Sequence, residues 1–374
     1  MSKTSNKRYN INGRVIFLAA LCLLLSLLLW QSQHQLIAAT ATEPEPPFMV
    51  EYPLPTHLTD AQPRHIIAEA PGRLWFTLPG VNALGSLVVT TTVDYTFAIY
   101  DIPTANSEPH SLVLDVTNQA IWFTQLAASQ IGRFDLNTTQ IDEFSLPANS
   151  SPTGIDLDAD NMVWVALRDS NQIAKFNPDT FDIQLFTYGT ADATFADLAV
   201  SPANVIWMTS PGLNRLVAYE PIEQRFTFEP VVEIGLPTFP PQAIAMHGTR
   251  PWISAPTMGW IGRYAPGTFT SFLWHLTPES NSGPTEISYR NLGSRHEIWY
   301  VQPSANRAGR LLFNNNGNML QSLAAGLPTA GSQPYDIVAD SNGHAWITAP
   351  GTNSIVEWYP PYVAYTYLPL IQRP

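Results

Sequence analysis

Cysteine occurs once in 374 residues, as Cys22, inside an apolar N-terminal run. The rest of the chain therefore holds neither a disulfide framework nor a thiolate metal site. Charge is also scarce, at 13% of residues, and bases are the rarer sign. Lys3, Lys7, Arg8 and Arg14 precede the apolar run with no acid among them, so the remainder carries 14 Lys and Arg against 30 Asp and Glu, a formal net charge of −16. Such a surface repels nucleic acid and anionic membranes, which excludes both as partners of the main body. No Ser-His-Asp order, phosphate-binding glycine loop or His-rich metal spacing stands out, and no metal ligand is assigned. The 33 prolines and the low charge fit an all-β protein with little helix beyond the N-terminus.

What is present begins with that N-terminus. Residues 15–30 are apolar apart from Ser26, which predicts an apolar helix acting as a signal peptide or a short membrane anchor. Ala39-Thr40-Ala41 has the small-x-small form of a cleavage site, whereas Leu21 before Cys22 does not suit a lipoprotein signal. In either case the basic flank stays inside and the rest is exported, to the cell envelope or the medium. The expected division is 1–41 signal or anchor, 42–50 proline-rich linker (the stretch TATEPEPP runs from 40 to 47) and 51–374 folded domain.

The stretch 109–147 holds four short β runs, 111–115, 120–124, 131–135 and 141–146, separated by turn-forming residues. This four-stranded antiparallel unit recurs. Its marker is the tryptophan of the second strand, at Trp75, Trp122, Trp164, Trp207, Trp252, Trp299 and Trp346, with spacings of 47, 42, 43, 45, 47 and 47. Nine residues after each tryptophan a third strand begins, and two positions before it stand Asn82, Asn171, Asn214, Asn306 and Asn353. Seven units at this period predict a seven-bladed β-propeller of four-stranded blades. The asparagines read as left-handed turn residues, and the tryptophans as packing between neighbouring blades. Asp158 and Asp340, six residues before a tryptophan, read as turn caps at the far end of the blade.

Two strands compete to close the ring. Glu51-Tyr52-Pro53-Leu54-Pro55 repeats the outer-strand ending of 143–147, and 362–370 also reads as an outer strand. One mouth of the channel is expected to gather the residue after each blade-opening proline (Arg64, His110, Thr153, Ala196, Gln242, Thr285, Tyr335). Those three past each tryptophan (Leu78, Gln125, Leu167, Ser210, Ala255, Gln302, Ala349) should join them. By this register the mouth is mostly neutral.

The repeat resembles that of the streptogramin B lyases, the virginiamycin B lyase type. The resemblance rests on Pro152 to Ile155 with Asp158, Trp122-Phe123-Thr124, Ile131-Gly132-Arg133 and the ending 143–147, and it spans about residues 51–369. It implies a seven-bladed ring and an Mg²⁺-dependent elimination that opens a cyclic depsipeptide at its ester bond. It also implies that Glu108-Pro109-His110 corresponds to the family's Glu-Pro-His triplet. The second histidine expected after the neighbouring blade's proline is replaced by Arg64, with His65 one residue off, and Gln125-Leu126 stands where the family has a glutamate. Gln cannot ionise, so the catalytic set is incomplete.

Two readings follow. The favoured one is a monomeric binding propeller that takes a small molecule, peptide or glycan at the channel mouth, with His65, Gln125, Arg168, Gln302 and Tyr335 as contacts, Trp260 and Trp274 as exposed-loop candidates, and no cofactor. The alternative is a lyase in which Glu108 and His110 form the acid–base pair, His65 lies near and Mg²⁺ is the cation. A calcium-type shell like that of sugar lactonases would draw on Glu108, Asp169, Asp197 and Glu286, but these sit at unequal offsets in their blades.

Overall fold

A computed structural model describes residues 48–231, 238–267, 271–277 and 283–360. The N-terminal apolar segment and the strand candidate at 362–370 lie outside the described residues.

The second blade shows why the repeat folds as it does. Strands Pro109–Asp115, Ala120–Gln125, Gln130–Asp135 and Ile141–Ser145 pair antiparallel in sequence order. Ala120–Gln125 is buried at all six positions because sheets cover both its faces, so it reads as an unbroken apolar run. Ile141–Ser145 lies at the rim, is partly exposed throughout, and is correspondingly more polar. Gly132 is required by packing: a Cβ there would stand 2.0 Å from Cζ of Phe123, whose ring occupies that space.

Seven such sheets form, over 66–101, 109–145, 152–187, 197–230, 244–276, 287–326 and, for the last, 337–359 joined by Phe48–Pro53. Their first strands follow one another around the ring, and that of the first blade meets that of the seventh. The fold is thus an all-β, seven-bladed propeller. Ring closure is by the N-terminal strand: Phe48–Pro53 pairs antiparallel with Ser354–Tyr359 as the outermost strand of blade 7. Tyr52 is fully buried in this seam and donates its hydroxyl to Oε2 of Glu357 at 2.7 Å.

Between blades, each repeat tryptophan lies against the third strand of the next blade. Trp75–Phe134, Trp122–Phe176, Trp164–Tyr219, Trp207–Tyr264, Trp252–Phe313 and Trp299–Trp358 have ring centroids 4.9 to 6.0 Å apart. Trp346 shares one buried cluster with Leu87 of the third strand of blade 1, across the seam. Aromatic side chains bury about 150–250 Å² each, so this stacked series supplies a large share of the apolar burial.

Polar groups fix the register between blades. All five repeat asparagines adopt φ of 52–55°, the left-handed turn conformation. Asn82 also uses its amide to hold the loop leading to blade 2, donating to the carbonyls of Ile102 and Thr104 and accepting from the N–H of Ser107. Asp158 and Asp340 cap their turns through backbone N–H groups and accept the indole N–H of Trp164 and Trp346, at 2.9 and 3.0 Å.

Candidate functional site

The mouth of the channel is set by how each first strand begins. In blades 2 and 3 the pairing of first and second strands slips between Pro109 and Leu112 and between Pro152 and Ile155. An irregular strand start turns successive residues toward the same side. Consequently the residue after the opening proline and the one following it both line a cavity of about 290 Å³, which includes His65, His110, Arg168, Asp197, Glu286 and Tyr335. The neutral mouth expected from sequence is therefore corrected to a charged one. Asp197, Glu286 and His65 come from the second of these positions. The seven residues three past each tryptophan, Gln125 and Gln302 among them, are fully buried instead of facing the mouth.

His65 and His110, from adjacent blades, lie with ring centroids 4.6 Å apart. The edge of the Tyr335 ring meets His65 at 5.2 Å, and the Arg64 guanidinium sits 5.7 Å from the Tyr335 ring centre. Burial, reinforced by His65, Arg64 and Arg168, holds His110 well below the usual imidazole range, and its Nδ1 is buried with no hydrogen-bond partner. His110 is therefore a neutral imidazole at physiological pH, able to act as an acceptor.

Carboxyl groups occupy the other side. Asp197 accepts the N–H of Leu198 and of Ile244 in the next blade, at 2.8 and 2.9 Å. Asp336 does the same with Ile337 and with Ile66 across the seam, at 2.7 and 3.0 Å. Burial pushes Asp197 up to about 6 despite these bonds. Glu286 is raised well above the usual carboxylate range, by burial and then by Asp336 and Asp197.

His65, His110, Arg168 and Tyr335 thus meet at one cavity. Arg168 also binds Asp169 at 3.0 Å, and Asp169 accepts from Ser151. Glu108 does not line the cavity: its carboxylate pairs with Arg64 at 3.3 Å and is 40% exposed. Gln125 is enclosed, with both amide atoms unpartnered. Gln302 donates to Thr277 in the interior. Trp260 and Trp274 are strand residues, half-buried beside Phe239, and not loop residues. Asp336 was missed in the sequence, although it holds the same place, two past the opening proline, as Glu286.

The Mg²⁺ implied by the resemblance needs oxygen donors around the Glu108-Pro109-His110 triplet. Glu108 is committed to Arg64, and the neighbouring Gln125 is a neutral buried amide. The residues present there do not fit that ion.

Ring and mouth together define a seven-bladed propeller with a polar channel-mouth cavity, and by structure it resembles the streptogramin B lyases. No protein-family model matches the sequence, and no match was found among curated proteins. Among solved structures, one described as a streptogramin B lyase superposes with a TM-score of 0.72 at 21% identity, covering 84% of this chain and 97% of its own. Two structures of virginiamycin B lyase from Staphylococcus aureus each give 0.71 at 20% identity, covering 84% of this chain and 99% of theirs. One of these is a catalytically inactive His-to-Ala variant with quinupristin. At this identity the likeness establishes the fold.

Proposed function

We propose that the protein is an exported binding propeller that takes a small polar ligand, or the end of a peptide or glycan, at the channel mouth. The observation that carries this reading is the cavity itself. About 290 Å³ lined by two imidazoles, the Arg168 guanidinium, the Tyr335 ring and the Asp197 and Glu286 carboxyl groups suits recognition by several directed hydrogen bonds. Export rests on the basic flank and apolar run at 1–30.

A second reading, lyase chemistry, is favoured by one specific feature, the contact between His65 and His110. Elimination needs a base near the proton it takes, and His110, a neutral imidazole lining the cavity, is the group placed for that role. Against it, Glu108, the carboxylate that the resemblance pairs with His110, is held by Arg64 outside the cavity.

Incubation with quinupristin, with Mg²⁺ or EDTA, followed by mass spectrometry separates the two. The binding reading expects no ring-opened product and, in a panel of small molecules, peptides and glycans, a ligand whose thermal shift is lost in His110→Ala and Arg168→Ala. Ring opening that needs His110 and Mg²⁺ would overturn it.

A further inference from the structure

Where the ring closes, the first strands of blades 6, 7 and 1 bring Glu286, Asp336 and His65 together, with one donor atom of each within 4.8 Å of the others. We propose that these three residues form a binding site for a divalent cation of the Mn²⁺ or Zn²⁺ kind. The site goes beyond the ligand reading above and does not depend on it.

The donors are prepared in different ways. Asp336 is oriented by the backbone, since each oxygen already accepts one N–H, from Ile337 and from Ile66, and keeps lone pairs free. His65 stands with Nδ1 3.4 Å from Oδ2 of Asp336, while its Nε2 is buried and has no hydrogen-bond partner. Glu286, among the described residues, has neither a hydrogen bond nor an ion pair for its carboxylate, although it lines the inner wall of the cavity.

Charge gives a further reason: Asp197 lines the same cavity as Glu286, and Asp336 stands within donor reach of Glu286, so three carboxyl groups crowd one place. The nearby arginines are engaged elsewhere, Arg64 with Glu108 and Arg168 with Asp169. An enclosed group of carboxylates needs either a cation or protons. One imidazole with two carboxylates is a mixed nitrogen and oxygen set, which selects Mn²⁺ or Zn²⁺ over the all-oxygen preference of Ca²⁺ and Mg²⁺. A bound ion would join three blades across the seam, and positions not taken by protein would be left to water or to a ligand in the cavity.

The test uses the purified full-length chain, stripped with EDTA and dialysed against Mn²⁺ or Zn²⁺ with no organic ligand present. The expected result is one retained metal per chain, a raised thermal midpoint, and a nitrogen coupling in the pulsed EPR of the Mn²⁺ form that vanishes in His65→Ala. Glu286→Gln should keep the fold, because its side chain makes no hydrogen bond, and should weaken binding by about tenfold or more, the loss that even outer-shell changes cause. A folded chain that retains no metal overturns the proposal. So does binding of equal affinity in wild type, Glu286→Gln and His65→Ala. Because no ligand is used, failure here leaves the channel-mouth reading to its own test.

Discussion

The rings of His65 and His110 belong to neighbouring blades and stand 4.6 Å apart, so the two imidazoles cannot both carry charge without repulsion. His110 is the one held neutral, by burial and then by His65, Arg64 and Arg168. NMR titration should find His110 still unprotonated at pH 6, and Arg168→Ala should move its midpoint upward. Its folded value lies below the unfolded one, so the unfolded chain binds protons first. Acidification through pH 6.5 therefore destabilises the ring. A midpoint for His110 at or above 6.5 would contradict the geometry.

A second acid-sensitive place lies between blades 5 and 6. His296 is fully buried, both ring nitrogens lack partners, and its ring stacks on Phe313 at 5.2 Å. Burial, then His247, Arg263 and His275, lowers it to about 4, and burial with Arg263 lowers His275 to about 4. Both favour the folded state fully above about pH 6.5, and that stability falls away as the pH drops toward 4. Urea midpoints at pH 7.5 and 5.0 should differ less in His296→Phe than in wild type. At pH 7.5 the variant should lose about 1–3 kcal/mol, since Phe is larger than His at a fully packed position.

Gly132→Ala places a methyl group 2.0 Å from the Phe123 ring. The ring or the strand must shift, at a cost of about 1–3 kcal/mol. Chemical denaturation should show the two positions to be coupled: in a Phe123→Leu background the same alanine should cost markedly less. Equal costs in both backgrounds would mean that the glycine serves the backbone and not the ring.

Tyr52→Phe removes the hydroxyl bonded to Glu357, whose other oxygen faces Nδ1 of His344 at 2.9 Å. Glu357 is almost wholly buried, and a hydrogen bond to a charged group is worth about 1.5–3 kcal/mol. The thermal midpoint should fall by several degrees while the far-ultraviolet circular dichroism of the native state stays unchanged.

Much of this was legible in the sequence. The tryptophan period, the asparagine turns and the caps at Asp158 and Asp340 are local features, each decided within a few residues, and they appear where periodicity put them. The mouth was not, because irregular strand starts add the residue after each expected one, so that Asp197 and Glu286 join Ala196 in the wall. Gln125 and Gln302 were misplaced for another reason: their position three past the tryptophan put them at the mouth, whereas the end of a strand buried on both faces encloses them. The choice of closing strand depends on pairing between distant segments, which no local pattern decides.

That pairing has a bearing on how the ring is made. Tyr52 and Glu357 are 305 positions apart, so Phe48–Pro53 leaves the ribosome long before its partner exists. At about 5–20 residues per second the wait is tens of seconds, during which six blades can assemble in order while the seventh lacks its rim. Until then the two end blades of the growing stack expose the apolar faces that later meet at the seam, and Phe48–Pro53 is a strand without its partner, the kind of edge through which chains aggregate. The clasp therefore acts as a late quality check: a chain cut short before Ser354 keeps most of its blades but has nowhere to seat its first strand.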